Sequence, residues 1–80
     1  MARMRVHLTF PPERIGEPIV YLLGRDFGVV TSIRRADITP TYGWVTLDLE
    51  GPPEDLDRGV AWLRSRGIKV EPLERDVMAP

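Results

Sequence analysis

The chain alternates apolar and polar residues in three short segments, which is the pattern of half-buried β-strands. These segments span residues 4 to 10, 44 to 50 and 68 to 71. Between the first two, residues 29 to 39 are rich in β-branched side chains and predict a further strand. Its alternation is irregular from Ser32 to Ala36, which predicts a bulge or a functional distortion at that point.

Two other stretches have the spacing of amphipathic helices. The first is predicted to begin near Glu17, because Pro18 suits the first helical position, and Gly28 can end it in a left-handed cap. The second is predicted to begin at the acidic run 54–57 and to end at Gly67. Each has an apolar stripe that recurs every three to four residues. The stripes are Ile19, Leu22, Leu23 and Phe27 in the first helix, and Leu56, Val60 and Leu63 in the second.

The predicted order of elements is β-α-β-β-α-β, which points to the α+β class. With right-handed crossovers, this order packs as a four-stranded antiparallel sheet with both helices on one face, the ferredoxin-like arrangement. We expect a single domain over residues 1–80, with a core at about 4–73 and a tail at 74–80. A chain of 80 residues buries only about 60% of its unfolded surface. It has no cysteine for a disulfide, so a homodimer is the expected source of further stability.

The composition narrows the function classes. Eleven basic and twelve acidic residues are spread along the chain, which is not the charge pattern of a nucleic-acid or anionic-lipid binder. No apolar run is long enough for membrane insertion or a signal peptide, so we expect a cytoplasmic protein. Asn, Gln and Cys are absent and Lys69 is the only lysine. This bias is typical of thermophile proteins, and codon use in a GC-rich genome produces it too.

No group of residues predicts catalysis. The single histidine, His7, has no Ser or Cys beside it and no partners for a metal, so neither a nucleophile, a metal site nor a cofactor is expected. The polar faces of the first and third strands place basic residues opposite acidic ones, which predicts cross-strand ion pairs. Acylphosphatases share this fold and use a first-loop arginine, which Arg14 resembles, together with a strand asparagine that is absent here. We therefore predict that the chain is not an enzyme.

Trp44 is the one aromatic ring on that polar face. RNA-binding domains of this fold stack bases on two or three rings, so RNA binding is not predicted. We interpret Trp44 as an interface residue. This interpretation supports an alternative function, a protein-interaction or assembly domain that binds no small ligand.

Several motifs, spread over about residues 4 to 73, resemble the NIL domain family. The most specific are Gly16-Glu17-Pro18-Ile19 at the entry to the first helix and Ile33-Arg34-Arg35-Ala36-Asp37-Ile38 on the second strand. The other motifs are Phe10-Pro11-Pro12, Phe27-Gly28-Val29, the segment from Gly43 to Gly51, and the segment from Ala61 to Glu71. NIL domains are ferredoxin-like and similar in shape to amino-acid-sensing ACT domains. They occur in methionine-importer ATPases, where they form dimers and sense the imported substrate, and also fused to ferredoxin segments.

The resemblance implies a regulatory module that binds a small ligand, such as the amino acid methionine, and acts in trans on a transporter or enzyme partner. Its site would join the first loop to the irregular strand. The candidate ligand-binding residues are Phe10, Pro11, Gly16, Ser32, Ile33 and Arg34. The Asn-Ile-Leu run that names the family corresponds here to Ser32, Ile33 and Arg34, so the sequence leaves the ligand open.

Overall fold

The computed structural model describes residues 2–77, with side chains as far as residue 74. Four strands and two helices follow one another in the predicted order. They are β1 (Ala2–Phe10), α1 (Ile19–Phe27), β2 (Val30–Ile38), β3 (Gly43–Gly51), α2 (Pro53–Ser65) and β4 (Lys69–Val77), with a 3-10 turn at Pro12–Arg14 after β1. The strands form one sheet in the order β2-β3-β1-β4, and every neighbouring pair is antiparallel. The ferredoxin-like prediction is confirmed.

The core lies between the sheet and the two helices. Inward-facing residues of the central strands β1 and β3, such as Leu8 and Leu47, are fully buried. The stripes of the helices meet them with Leu23 from α1 and with Leu56 and Leu63 from α2. No polar or charged side chain is buried among the residues that the structure describes, so the core depends on apolar packing alone.

The helix ends follow from proline and glycine. Pro18 has φ −79° and ψ 61°, which is not helical, so α1 begins at Ile19 rather than at the predicted Glu17. Pro53 is the first residue of α2, one position before the predicted acidic run, because proline fits where no backbone N–H is needed. Gly28 has a φ of 69° and confirms the predicted left-handed cap of α1. Gly67, which was predicted as the end of the second helix, has a φ of 80° and is left-handed too.

The fourth strand extends further than the sequence predicted. We expected it to end before Pro72 and the tail to begin at residue 74, but β4 pairs with β1 through Val77. Pro72 is tolerated because β4 is an edge strand, where a residue without an N–H can face away from the neighbouring strand. Leu73 is an extra residue in the ladder, between the pairs Val6–Pro72 and Arg5–Glu74. Residues 78–80 of the predicted tail lie outside the described residues.

The other edge strand, β2, contains the predicted bulge. Ile33 pairs with Leu47 and Arg35 with Thr46, so Arg34 has no partner position on β3. All but one of the nine residues of β2 are exposed, although the strand is continuous with the sheet. The strand therefore projects beyond the cover that α1 provides.

No helix within residues 2–77 has the length and apolar character needed to cross a membrane.

Candidate functional site

A groove of about 190 Å³ lies between α1 and the helix-facing side of β2. Val20 and Tyr21 line it from α1, and Ile33, Ala36 and Ile38 line it from β2. We call this site the α1/β2 groove. Three of these residues are large apolar side chains left in contact with solvent: Tyr21 is 64% exposed, Ile33 61% and Ile38 55%. A contiguous exposed apolar surface on a small domain is typical of a binding site or an interface.

The floor of the groove reaches the core. Phe10 at the end of β1, Val45 on β3 and Ile19 at the start of α1 line it, and all three are buried. Ile15, from the loop between β1 and α1, completes this apolar part. The groove can therefore take an apolar group without leaving a buried polar atom unpaired.

One end of the groove is polar. Glu17 accepts hydrogen bonds from Arg14 Nη1 and from Arg66 Nη2, each at 2.7 Å. Arg14 Nε donates to the carbonyl oxygen of Arg66 at 3.0 Å. Arg14, Glu17 and Arg66 form what we call the Arg-Glu-Arg cluster, and it joins the loop before α1 to the end of α2. Arg14 and Glu17 also line the groove.

We expect the cluster to make the stability of the domain depend on pH. Hydrogen bonds from Arg14 and then Arg66 lower the pKa of Glu17 below its ordinary value of 4.5. A lowered folded-state pKa means that the stabilisation is complete above the unfolded pKa and is lost as the pH falls toward the folded pKa. We expect Glu17→Gln to be less stable than the wild-type chain at pH 7, and the difference to shrink as the pH falls below about 4.5.

Urea unfolding of both proteins at a series of pH values measures this difference. Glu13→Gln is the matched control, because Glu13 is exposed in the 3-10 turn after β1 and does not line the groove. A difference between Glu17→Gln and the wild-type chain that stays constant from pH 7 to pH 3 would show that the carboxylate charge of Glu17 contributes nothing.

The side of the sheet away from the helices, which we call the open face, carries the predicted ion pairs. Arg5 donates to both carboxylate oxygens of Asp48, at 2.7 Å and 3.3 Å, and Arg3 lies 3.5 Å from Glu50. The hydrogen bond from Arg5 holds the pKa of Asp48 below its ordinary value. These contacts confirm the predicted cross-strand ion pairs. The carboxylate of Asp48 therefore has a structural role.

Trp44 and His7 also lie on the open face. Their ring centroids are 5.2 Å apart, and His7 Nδ1 is 3.2 Å from the hydroxyl of Thr46. Trp44 is half-buried. Its interface role stays a prediction. In the part of the chain that the structure describes, no three His, Asp or Glu residues stand close enough to hold a metal ion.

The structure does not bring the six predicted ligand-binding residues to one surface. Phe10 and Ile33 line the α1/β2 groove, whereas Ser32 and Arg34 lie on the open face beside Asp48. Successive strand residues point to opposite faces, so Ser32 and Ile33 cannot share a site on a single strand. The remaining two are in the first loop but not in the groove lining; Pro11 is half-buried and Gly16 is exposed. The ligand contacts of all six stay predictions.

Sequence reasoning missed several residues of the groove. Ala36 and Ile38 join Ile33 on one side of β2 only because the bulge at Arg34 resets the alternation. The irregular pattern of this strand was the available signal. Nothing in the sequence indicated that Arg14 and Glu17 would meet Arg66, which is 49 residues from Glu17.

The profile of the NIL domain matches residues 4–72. The chain belongs to the NIL domain family. This NIL domain is 27% identical over 70 residues to the methionine import ATP-binding protein MetN of Halalkalibacterium halodurans. That match covers 82% of the chain and 21% of the relative, so the chain spans about a fifth of the length of MetN.

Two solved structures resemble the NIL domain in shape. The C-terminal domain of an ABC transporter ATP-binding protein from Enterococcus faecalis has a TM-score of 0.78 at 22% identity, over 88% of this chain and 82% of that one. Prephenate dehydratase from Streptococcus mutans has a TM-score of 0.70 at 18% identity, over 92% of this chain and 42% of the enzyme. At these identities the resemblance shows the fold.

Proposed function

We propose that this NIL domain is a dimeric regulatory module that binds an amino acid with an apolar side chain, such as methionine, in the α1/β2 groove. The observation that carries the proposal is the exposed apolar lining of the groove, formed by Tyr21, Ile33 and Ile38, beside an unpaired strand edge.

The size of the groove supports a small ligand. Its volume of about 190 Å³ is below the ~300–1,000 Å³ of pockets for drug-sized molecules. Its apolar walls suit an unbranched apolar side chain, and the polar end suits charged groups at one end of the ligand. Methionine has this shape, and the relative MetN is named for methionine import. Methionine is therefore the first ligand to test.

The free edge of β2 supports a dimer. β2 has nine residues and no proline, whereas the edge strand β4 contains Pro72. Such an edge exposes unpaired backbone N–H and C=O groups, which a second copy of β2 can satisfy by antiparallel pairing. The pairing gives an eight-stranded sheet across a two-fold axis and covers part of Ile33 and Ile38. It also brings the two grooves to the interface, so that ligand binding and dimerisation stabilise each other.

The same relative supports a proposal about the partner of the regulatory module. MetN is an ATP-binding protein, and the similar structure from Enterococcus faecalis is also a domain of one. We propose that this domain reports the bound amino acid to an ATP-binding transport protein on the cytoplasmic side of the membrane. The ligand then acts by shifting the population of the dimer, which requires only that it binds the dimer more tightly than the monomer.

Binding by the wild-type domain is the direct test. We expect methionine to raise the melting temperature and calorimetry to show one site per chain. At a hundred times the dissociation constant, the added stability is about 2.7 kcal/mol. Aspartate and lysine are the control ligands, because their side chains are charged. If no amino acid stabilises the domain at millimolar concentration, the ligand-binding function is wrong and the ligand-free assembly function takes its place.

A further inference from the structure

We infer that Arg14 binds the carboxylate of the ligand, and that the groove therefore selects molecules with a carboxylate at one end and an apolar chain at the other. This inference rests on the proposed function, since it concerns the ligand of the same α1/β2 groove.

The charge of the cluster is the first argument. Arg14 and Glu17 are the charged residues of the groove lining, and Arg66 lies directly behind Glu17. Two guanidinium groups and one carboxylate leave a net charge of +1 at this end. The rest of the lining is almost entirely apolar, so water screens this charge less than it would on an open surface. A positive charge beside an apolar groove is complementary to an anionic head group.

The free donors of Arg14 are the second argument. A guanidinium has five N–H donors. One donates to the carbonyl oxygen of Arg66 and one to Glu17, which leaves three without an acceptor among the side chains described, those of residues 2–74. Arginine binds carboxylates through two parallel N–H donors, so the unused donors suffice for a bidentate contact.

The fixed position of Arg14 is the third argument. Its Nε is held by a backbone carbonyl rather than by a mobile side chain, and its Nη1 by a carboxylate that Arg66 also holds. The guanidinium is therefore oriented before a ligand arrives, and binding does not have to order it. Glu17 already accepts hydrogen bonds from two guanidinium groups, so it is not free to bind the ammonium group of the ligand. The charged contact in the groove is therefore between Arg14 and the carboxylate of the ligand.

Three small molecules test the inference on the wild-type domain. L-Methionine has both charges, L-methioninol lacks the carboxylate, and 4-(methylthio)butanoate lacks the ammonium. By calorimetry we expect methioninol to bind about 10- to 100-fold more weakly than methionine, as expected for the loss of a charge-assisted contact. We expect 4-(methylthio)butanoate to bind about as tightly as methionine. High salt is expected to weaken the binding of these two carboxylates more than the binding of methioninol.

The Arg14→Ala variant gives the second arm of the test. We expect methionine binding to fall about 10- to 100-fold and methioninol binding to stay unchanged, so that the variant no longer distinguishes the two. Arg14→Lys keeps a positive charge without the planar donors, so its affinity for methionine is expected to lie between those of the wild-type domain and Arg14→Ala. It replaces Arg14→Ala in the test if that variant does not fold. Arg3→Ala is the matched control, because Arg3 is an exposed arginine of the open face.

The outcomes separate this inference from the proposed function. If methionine and methioninol bind the wild-type domain equally, or if Arg14→Ala weakens both alike, Arg14 does not bind the carboxylate, although the groove is still a ligand site. If neither these three molecules nor any other amino acid binds, the proposed function fails and this inference fails with it.

Discussion

Replacing Ile33 with aspartate is expected to convert the proposed dimer to a monomer and to abolish the proposed stabilisation by methionine, while the fold is kept. Ile33 lines the groove and is 61% exposed in the single chain, so the monomer tolerates a charge there. In the proposed dimer the same carboxylate would be partly covered without a partner, which costs about 1–3 kcal/mol in each of the two chains. That cost raises the dissociation constant by about two to four powers of ten. Light scattering across a dilution series, with calorimetry, measures both effects.

Val30→Asp is the matched control for this variant. Val30 is on the same edge strand and is 62% exposed, but it pairs with Glu50 on the open face. The added charge next to Glu50 is expected to cost a few tenths of a kcal/mol in stability and to leave dimerisation and ligand binding intact. A dimeric Ile33→Asp protein, or equal dissociation of the two variants, would contradict the proposed use of the groove and of the β2 edge.

Replacing Leu23 with alanine is expected to lower the free energy of unfolding by about 2–5 kcal/mol. Leu23 is fully buried at the contact between α1 and α2. A domain of this size has a total stability of about 4–12 kcal/mol, so the variant loses a large part of it. Tyr21→Ala, on the exposed side of the same helix, is the control and is expected to change the stability by less than about 0.5 kcal/mol. Urea unfolding measures both.

A double variant shows whether the contact between α1 and α2 causes the loss of stability in Leu23→Ala. A Cβ atom at Gly59 would lie 2.9 Å from Cδ1 of Leu23, which is too close without movement. Gly59→Ala alone is therefore expected to crowd Leu23, whereas in the Leu23→Ala background the new methyl group fills part of the cavity. Additive effects of the two changes would mean that the residues do not share the contact.

The fold could be predicted because its signals are local. The period of two in β1 and β3, and the stripes of α1 and α2, mark which side of each element is buried. The conformation of Gly28 and Gly67 is also a property of single positions. The end of β4 could not be predicted in this way, because Pro72 is acceptable only where the strand has a neighbour on one side, and that depends on the order of strands.

The site was harder to predict for a related reason. The sequence located the irregular strand and its bulge, but not how far β2 projects past α1, and it is this projection that exposes Ile33 and Ile38. The prediction also combined Ser32 with Ile33, which the pleat of a strand separates. The Arg-Glu-Arg cluster depends on the end of α2 meeting the first loop, a contact that no local pattern encodes.

The bulges of the two edge strands have an evolutionary consequence. Arg34 and Leu73 each stand between two correctly paired neighbours, so each behaves as a one-residue insertion that the sheet has absorbed. Removing Arg34 would leave Ile33, Ala36 and Ile38 on the same side of β2. One residue can therefore be gained or lost in either edge strand without changing which side chains reach the groove. An alignment of related sequences is expected to have its gaps at these two positions.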